Sequence, residues 1–135
     1  MSYLLDANAC IHLINGTSPR LSDRFRQETP VVIRMSSVVR AELTFGARNS
    51  SQAAENLRLI EAFWEPFVSL PFDDLCADHY GVIRADLKRQ GRIIGANDLL
   101  IAATALAHHL TLITHNTREF ERVPGLKLED WEEDS

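Results

Sequence analysis

Asp6, Glu42, Asp98, Asn116 and Glu119 are scattered through the chain, yet each falls where a short apolar run ends or a helix begins. In an α/β protein such positions collect at one edge of the sheet. Oxygen donors converging there would hold a divalent cation such as Mg2+ or Mn2+, which prefers carboxylate, carbonyl and water oxygens. Each residue also has an ordinary explanation. Asp6 follows the apolar Tyr3-Leu4-Leu5 and precedes a helix-like run, where Asp is a favoured N-cap. Asp98 falls in a first helical turn, where negative charge interacts well with the helix dipole. Asn116 suits a turn, and Glu119 a solvated first turn.

Glu42 separates the two explanations. On a helical wheel it lies between Val38 and Phe45 and near Val39, inside an apolar stripe. An unpaired charge buried there is costly, so the carboxylate is expected either beside a metal or in an ion pair, with Arg40 or Arg118 as the available cations. Among other positive groups, Arg84, Lys88 and Arg92 recur at fours, with Arg89 alongside. Such a run is ordinarily a solvated face, and here it could also meet substrate phosphates.

The elements that must position these groups alternate between strand and helix. Short buried strands are expected at Ser2–Leu5, Thr29–Ile33, Phe67–Leu70 and Leu110–Thr114, with a weak fifth near Leu126–Glu129. Helices are expected from Ser36 or Ser37, over Ser51–Trp64 up to Pro66, over Asp73–Gln90 up to Gly91, and over Asn97–His108, with a further turn at Thr117–Phe120. Asn97–His108 is apolar nearly all round and should be buried. The alternation predicts a mostly parallel sheet of four to five strands between helices, with Asp6 and Asn116 at the carboxyl edge, where such sheets bind ligands.

Length and composition bound the rest. A chain of 135 residues, 45% hydrophobic and 24% charged, fits one domain over residues 1–135 with its own core. The acidic stretch Glu129–Ser135 is expected to fray. A net charge of −5 argues against broad adhesion to nucleic acid, so any polyanion would need a local patch. The amino terminus lacks the basic segment and cleavage site of a signal peptide, and no apolar run is long enough for a membrane span, so a cytoplasmic location is expected. Cys10 and Cys76 sit among apolar neighbours, as buried thiols do. The five histidines show no HxxxH or CxxC spacing, which disfavours zinc. There is no GxxxxGK[ST], GxGxxG or GxSxG motif.

Taken together, an apolar strand ending in Asp6 with Asn8 next but one, the VVRAEL helix around Glu42, the GANDLLIAA segment around Asp98 and the late LTLITHNTREF run make the chain similar to the PIN-domain family, VapC-type ribonuclease toxins in particular. The likeness covers nearly the whole chain. It implies an α/β/α sandwich and a Mg2+- or Mn2+-dependent endoribonuclease, silenced by a VapB-type antitoxin in a homodimer or hetero-oligomer. It also implies RNA as substrate, with initiator tRNA anticodon loops as the expected target. By the same resemblance Asp6 and Asp98 hold the metal, Glu42 and Glu119 complete the catalytic set, and Asn116 and Asn8 line the site. Arg84, Lys88 and Arg92 remain the candidates for RNA contact. Many relatives have Asp where this chain has Asn116, while others use the acid before the Phe, here Glu119, so the resemblance leaves open which of the two completes the site. Two alternatives stand beside this reading: a nuclease-inactive PIN module acting as a binding or scaffold protein, and an aspartyl-phosphate phosphotransferase. The second wants an Asp where this chain has Asn8.

Overall fold

The computed structural model describes residues 1–133. Five strands, β1 (Tyr3–Leu5), β2 (Ile33–Ser36), β3 (Val68–Leu70), β4 (Thr111–Ile113) and β5 (Leu128–Glu129), form one sheet in the order β3-β2-β1-β4-β5. All four pairings are parallel, with Tyr3 opposite both Ile33 and Thr111. Leu4, Leu5, Ile33, Met35, Leu112 and Ile113 are fully shielded. Both sheet faces are therefore covered, which is why the central strands read as continuous apolar runs instead of alternating ones.

Seven helices among the described residues cover the sheet: α1 (Ala7–Asn15), α2 (Pro19–Arg26), α3 (Ser37–Arg48), α4 (Ala53–Trp64), α5 (Asp74–Arg89), α6 (Ala96–Ala107) and α7 (Thr117–Phe120). Helices α1 to α4 pack as one group and α5 against α6 as another, giving an α/β/α sandwich. The chain runs outward from β1 through β2 to β3, then crosses back to place β4 on the other side of β1. Strand order therefore reverses between β1 and β4, and the crevice beyond their carboxyl ends is where a parallel sheet receives ligands.

Local chemistry sets the elements that aim at this crevice. Asp6 starts α1, its Oδ1 accepting from the Ala9 N–H at 2.8 Å, and Gly16 ends it at φ 66°, a conformation glycine adopts without strain. Ser36 caps α3 by accepting from the Val38 N–H at 3.0 Å. Helix α6 buries Leu99, Ile101, Ala102, Ala103, Thr104, Ala105 and Ala107, as its all-round apolar sequence predicts.

Three expectations need correction. The second strand is Ile33–Ser36, and not Thr29–Ile33, because Pro30 opens a short 3-10 turn at Pro30–Val32. Proline has no N–H for a ladder, and its fixed φ suits the start of a helical turn. No sequence signal was assigned to α2, although Ser18-Pro19 is a helix-start pattern. Finally, Glu129–Glu132 does not fray: Glu129 pairs in β5, and Trp131 is 7% exposed, edge-on to Tyr3 at 5.0 Å and beneath the Arg24 guanidinium at 4.4 Å. One large aromatic outweighs the acidic composition around it. Residues 134–135 of the expected tail lie outside the described residues.

Candidate active site

Asp6 ends β1 and is 6% exposed. Besides capping α1, it accepts through Oδ2 from the Thr114 hydroxyl at 2.5 Å. Thr114, itself 1% exposed, ends β4 and accepts from the Asn116 N–H at 3.0 Å, so one hydroxyl joins the two strand ends at the crevice. Burial pushes the Asp6 carboxyl up, the bonds from Thr114 and Ala9 oppose this, and the nearby Glu132 carboxylate adds to the rise.

Glu42 projects from α3 toward the same place. Its Oε1 is buried without a hydrogen-bond partner among the described residues, and burial together with the Asp6 charge pushes its carboxyl up. The ion pairs considered for it are not formed among the described residues. Arg40 instead pairs with Glu61 at 2.8 Å and lies over Trp64 at 5.5 Å, while Arg118 is exposed. The apolar face of α3 consists of Val39, Leu43 and Ala47, and Phe45 is 69% exposed, so Glu42 lies at the border of the stripe rather than inside it. A carboxylate there reaches the crevice instead of the core.

Asp98 sits in the first turn of α6, half-buried, and its carboxyl is pushed up to about 7. Burial is the largest cause, followed by a hydrogen bond and charge from Glu119 and then by the charges of Glu42 and Asp6. Each of those groups must lie close to act. Glu119 is the opposite member of the pair: burial alone would raise it, but donors hold it below the ordinary carboxylate range. The Gly95 N–H donates to its Oε1 at 2.8 Å and the Asn116 amide to its Oε2 at 2.6 Å, while Arg122 stands nearby. The donors thus favour the charged form of Glu119, and that charge favours the protonated form of Asp98.

The structure thus brings Asp6, Glu42, Asp98 and Glu119 to one crevice, with Asn116 as a donor to Glu119. Asn8 lies beside them on α1, lining a cavity of about 350 Å³ shared with Glu42. Arg84, Lys88 and Arg92 are exposed on the later turns of α5 and in the loop leading toward Gly95, with Arg84 bonded to the Tyr80 hydroxyl at 2.6 Å. Sequence reasoning missed Thr114, Gly95, Arg122 and Glu132 as neighbours of the acids. Thr114 and Gly95 were the recoverable ones, being the last residue before a strand-end loop and the residue before a helix that carries an acid.

An orphaned buried carboxylate oxygen and mutually raised acids are what a divalent cation would relieve, so the donor set fits one. The acids are not packed as tightly as ligand atoms elsewhere: among the described residues, groups within 4.8 Å of one another are Asp73-Cys76-His108 and His115-Asp130-Glu132. The wider spacing suits an ion that keeps several of its waters.

Gly95 has a steric role here. A Cβ built on it would lie 3.3 Å from Asp98 Oδ2 and 3.6 Å from Glu119 Oε1. Gly95→Ala should displace the Asp98 carboxylate by a few tenths of an ångström and weaken metal-dependent activity by roughly 10- to 100-fold, the scale of changes to groups that orient ligands. Circular dichroism should show an unchanged fold. Wild-type activity in this variant would mean that Asp98 has room to spare.

A PIN domain model matches residues 3–126. The chain belongs to the PIN-domain family. Other PIN proteins resemble it over nearly their full length: it is 41% identical to the tRNA(fMet)-specific endonuclease VapC of Shigella flexneri over 97% of this chain and 98% of that one. Among solved structures, VapBC from Salmonella typhimurium bound to DNA superposes with a TM-score of 0.91 at 37% identity, over 97% of this chain and 98% of the other. VapBC2 from Rickettsia felis, bound to a promoter DNA fragment, gives 0.89 at 36% identity, over 97% and 99%. The crevice between β1 and β4 of this PIN domain holds the four acids singled out by the sequence, Asp6, Glu42, Asp98 and Glu119, with Glu132 nearby.

Proposed function

We propose that this chain is the toxin of a type II toxin–antitoxin pair, an endoribonuclease that hydrolyses RNA phosphodiester bonds with Mg2+ or Mn2+ and acts in the cytoplasm. The observation that carries this reading is the convergence of Asp6, Glu42, Asp98 and Glu119, with one buried oxygen that has no hydrogen-bond partner among the described residues. The likeness to VapC ribonucleases supports it. No helix among the described residues is long and apolar enough to cross a membrane.

In the proposed mechanism Asp6 and Asp98 hold the cation and Glu42 faces the attacking water. When bound, the cation would offset phosphate charge and make a water more acidic. Thr114 fixes the Asp6 rotamer, and Gly95 and Asn116 fix Glu119 against Asp98. Glu119, held low by its donors, would keep a negative charge beside the cation that Asp6 and Asp98 would hold. Arg84, Lys88 and Arg92 are proposed to meet backbone phosphates, supplying the local positive patch that a chain of net charge −5 needs.

Initiator tRNA is the proposed substrate, supported by the names of the Shigella flexneri and Salmonella typhimurium relatives. Its anticodon loop offers the unstacked bases that single-strand recognition requires. A VapB-type antitoxin is the proposed partner, since the similar solved structures are VapBC complexes. The cavity beside Glu42, lined by Ile11, Ile14, Leu59 and Ile60, would take an apolar antitoxin segment, and an Arg or Lys from it would neutralise the acids.

Purified protein and initiator tRNA supply the test. Cleavage should require Mg2+ or Mn2+, stop with EDTA, and leave 5′-phosphate and 3′-hydroxyl ends. Cleavage that persists in EDTA with cyclic-phosphate ends would assign the chemistry to histidine acid–base groups, such as His115.

A further inference from the structure

Far from the acidic crevice, the structure gathers three unlike metal-binding side chains that the sequence keeps apart. Asp73 precedes α5, Cys76 lies in its first turn, and His108 follows the last residue of α6, so the two helices run antiparallel with this cluster at one end. A carboxylate oxygen, the thiol sulfur and an imidazole nitrogen lie within 4.8 Å of one another. The Asp73 carboxylate is fixed over the thiol, its Oδ1 accepting from the Cys76 N–H at 3.1 Å. The Cys76 thiol itself donates to the Pro71 carbonyl oxygen at 3.8 Å. We propose that Asp73, Cys76 and His108 bind a thiophilic divalent transition-metal ion of the Zn2+ type, separate from the cation of the acidic crevice.

Ordinary structural roles leave part of this arrangement unexplained. Asp73 serves as an N-cap and Cys76 as a core thiol, but the His108 Nε2 is buried with no hydrogen-bond partner among the described residues. His12 and His115, by contrast, are each paired with a carboxylate at 2.8 Å. A nucleophilic Cys-His-Asp triad is disfavoured because Cys76 is 0% exposed and burial raises its thiol, so no substrate reaches a thiolate. A metal ion needs less room. It can enter past the exposed Asp73 and release the thiol proton to solvent on binding. Mixed sulfur, nitrogen and oxygen donors select zinc-like ions over Mg2+, whereas an all-oxygen crevice suits Mg2+ or Mn2+. The ten residues from Asp98 to His108 span about 15 Å of helix, so the two sites are independent. An ion here would clip the first turn of α5 to the end of α6. The spacing that disfavoured zinc in the sequence missed this site because its ligands come from two helices, 32 residues apart.

Cobalt(II) supplies the test, since only a cysteine-bound ion gives a thiolate-to-cobalt charge-transfer band in the near ultraviolet. Full-length protein under reducing conditions should develop the band with one equivalent of Co2+, lose it on addition of Zn2+, and keep it in Cys10→Ser. Cys76→Ser should abolish the band. Asp73→Asn, which keeps a good helix cap, and His108→Gln should each weaken Co2+ binding at least about tenfold. Circular dichroism confirms that each variant is folded, and the exposed Asp73 provides a readout if Cys76→Ser is not. Absence of the band in the wild type, or undiminished affinity in both Asp73→Asn and His108→Gln, would overturn the proposal.

Discussion

Asp98→Asn is expected to reduce RNA cleavage by on the order of 10³-fold or more, beyond the 10- to 100-fold cost of groups that merely orient a ligand, and at the same time to stabilise the metal-free protein. Both effects have one cause. Asp98 is raised to about 7 by burial and by Glu119, Glu42 and Asp6, so the crevice carries repulsion that only a cation removes. The sign follows from proton counts. Between about pH 4 and 7 the folded state keeps a proton on Asp98 that the unfolded state releases, so stability falls as pH rises through this window and is lowest above it. The neutral amide removes that slope. Discounted for half-exposure and coupling, the gain above pH 7 is about 1–2 kcal/mol, shrinking toward zero near pH 4. Thermal melts in EDTA at several pH values measure it. Parallel curves for wild type and variant would show that Asp98 carries no repulsion.

Asp6→Ala should abolish cleavage to a similar degree but shift stability the other way. Removing an acid from this crevice relieves charge repulsion, which by itself would leave the melting temperature equal or higher. For Asp6 the structure reverses that expectation, because the side chain caps α1 through Ala9 and accepts from the buried Thr114 hydroxyl. Loss of an N-cap costs about 0.5–2 kcal/mol, and a buried donor left without its acceptor costs about 1–3 kcal/mol. The Thr114 and Ala9 bonds already offset part of the burial of this charge, so losing them outweighs the relief and a drop of several degrees is expected. Asp6→Asn keeps one oxygen to accept from Ala9 but places an NH2 where Oδ2 accepted from Thr114, so it should melt between Asp6→Ala and the wild type while remaining inactive. Equal melting points for Asp6→Ala and wild type would mean that the cap and the Thr114 bond contribute little.

The contrast between these two acids shows what the sequence could and could not disclose. Strand ends and helix starts were legible because apolar runs, prolines and capping residues act locally, and they were enough to put Asp6, Asp98 and Asn116 on one edge. Glu42 was suspected for its place on the α3 wheel, but the exposure of Phe45 shows that the wheel gave the wrong border. The order β3-β2-β1-β4-β5, which creates the crevice, depends on long-range pairing with no local signature. The same is true of Thr114 bridging to Asp6 across 108 residues, and of Trp131 anchoring a segment whose composition suggests disorder. Whether Asn116 or Glu119 belongs to the acidic set was open in the sequence. In the structure they act together, the amide holding the carboxylate.

The central claim, a ribonuclease whose chemistry depends on the acidic crevice, is tested most directly by sequencing RNA 5′ ends in cells that express either wild-type protein or Asp98→Asn at matched levels. The account predicts new 5′-phosphorylated ends, concentrated in the initiator tRNA anticodon loop, with the wild type and none with the variant. Identical end profiles from the two proteins would contradict it and leave a PIN module that binds without cutting.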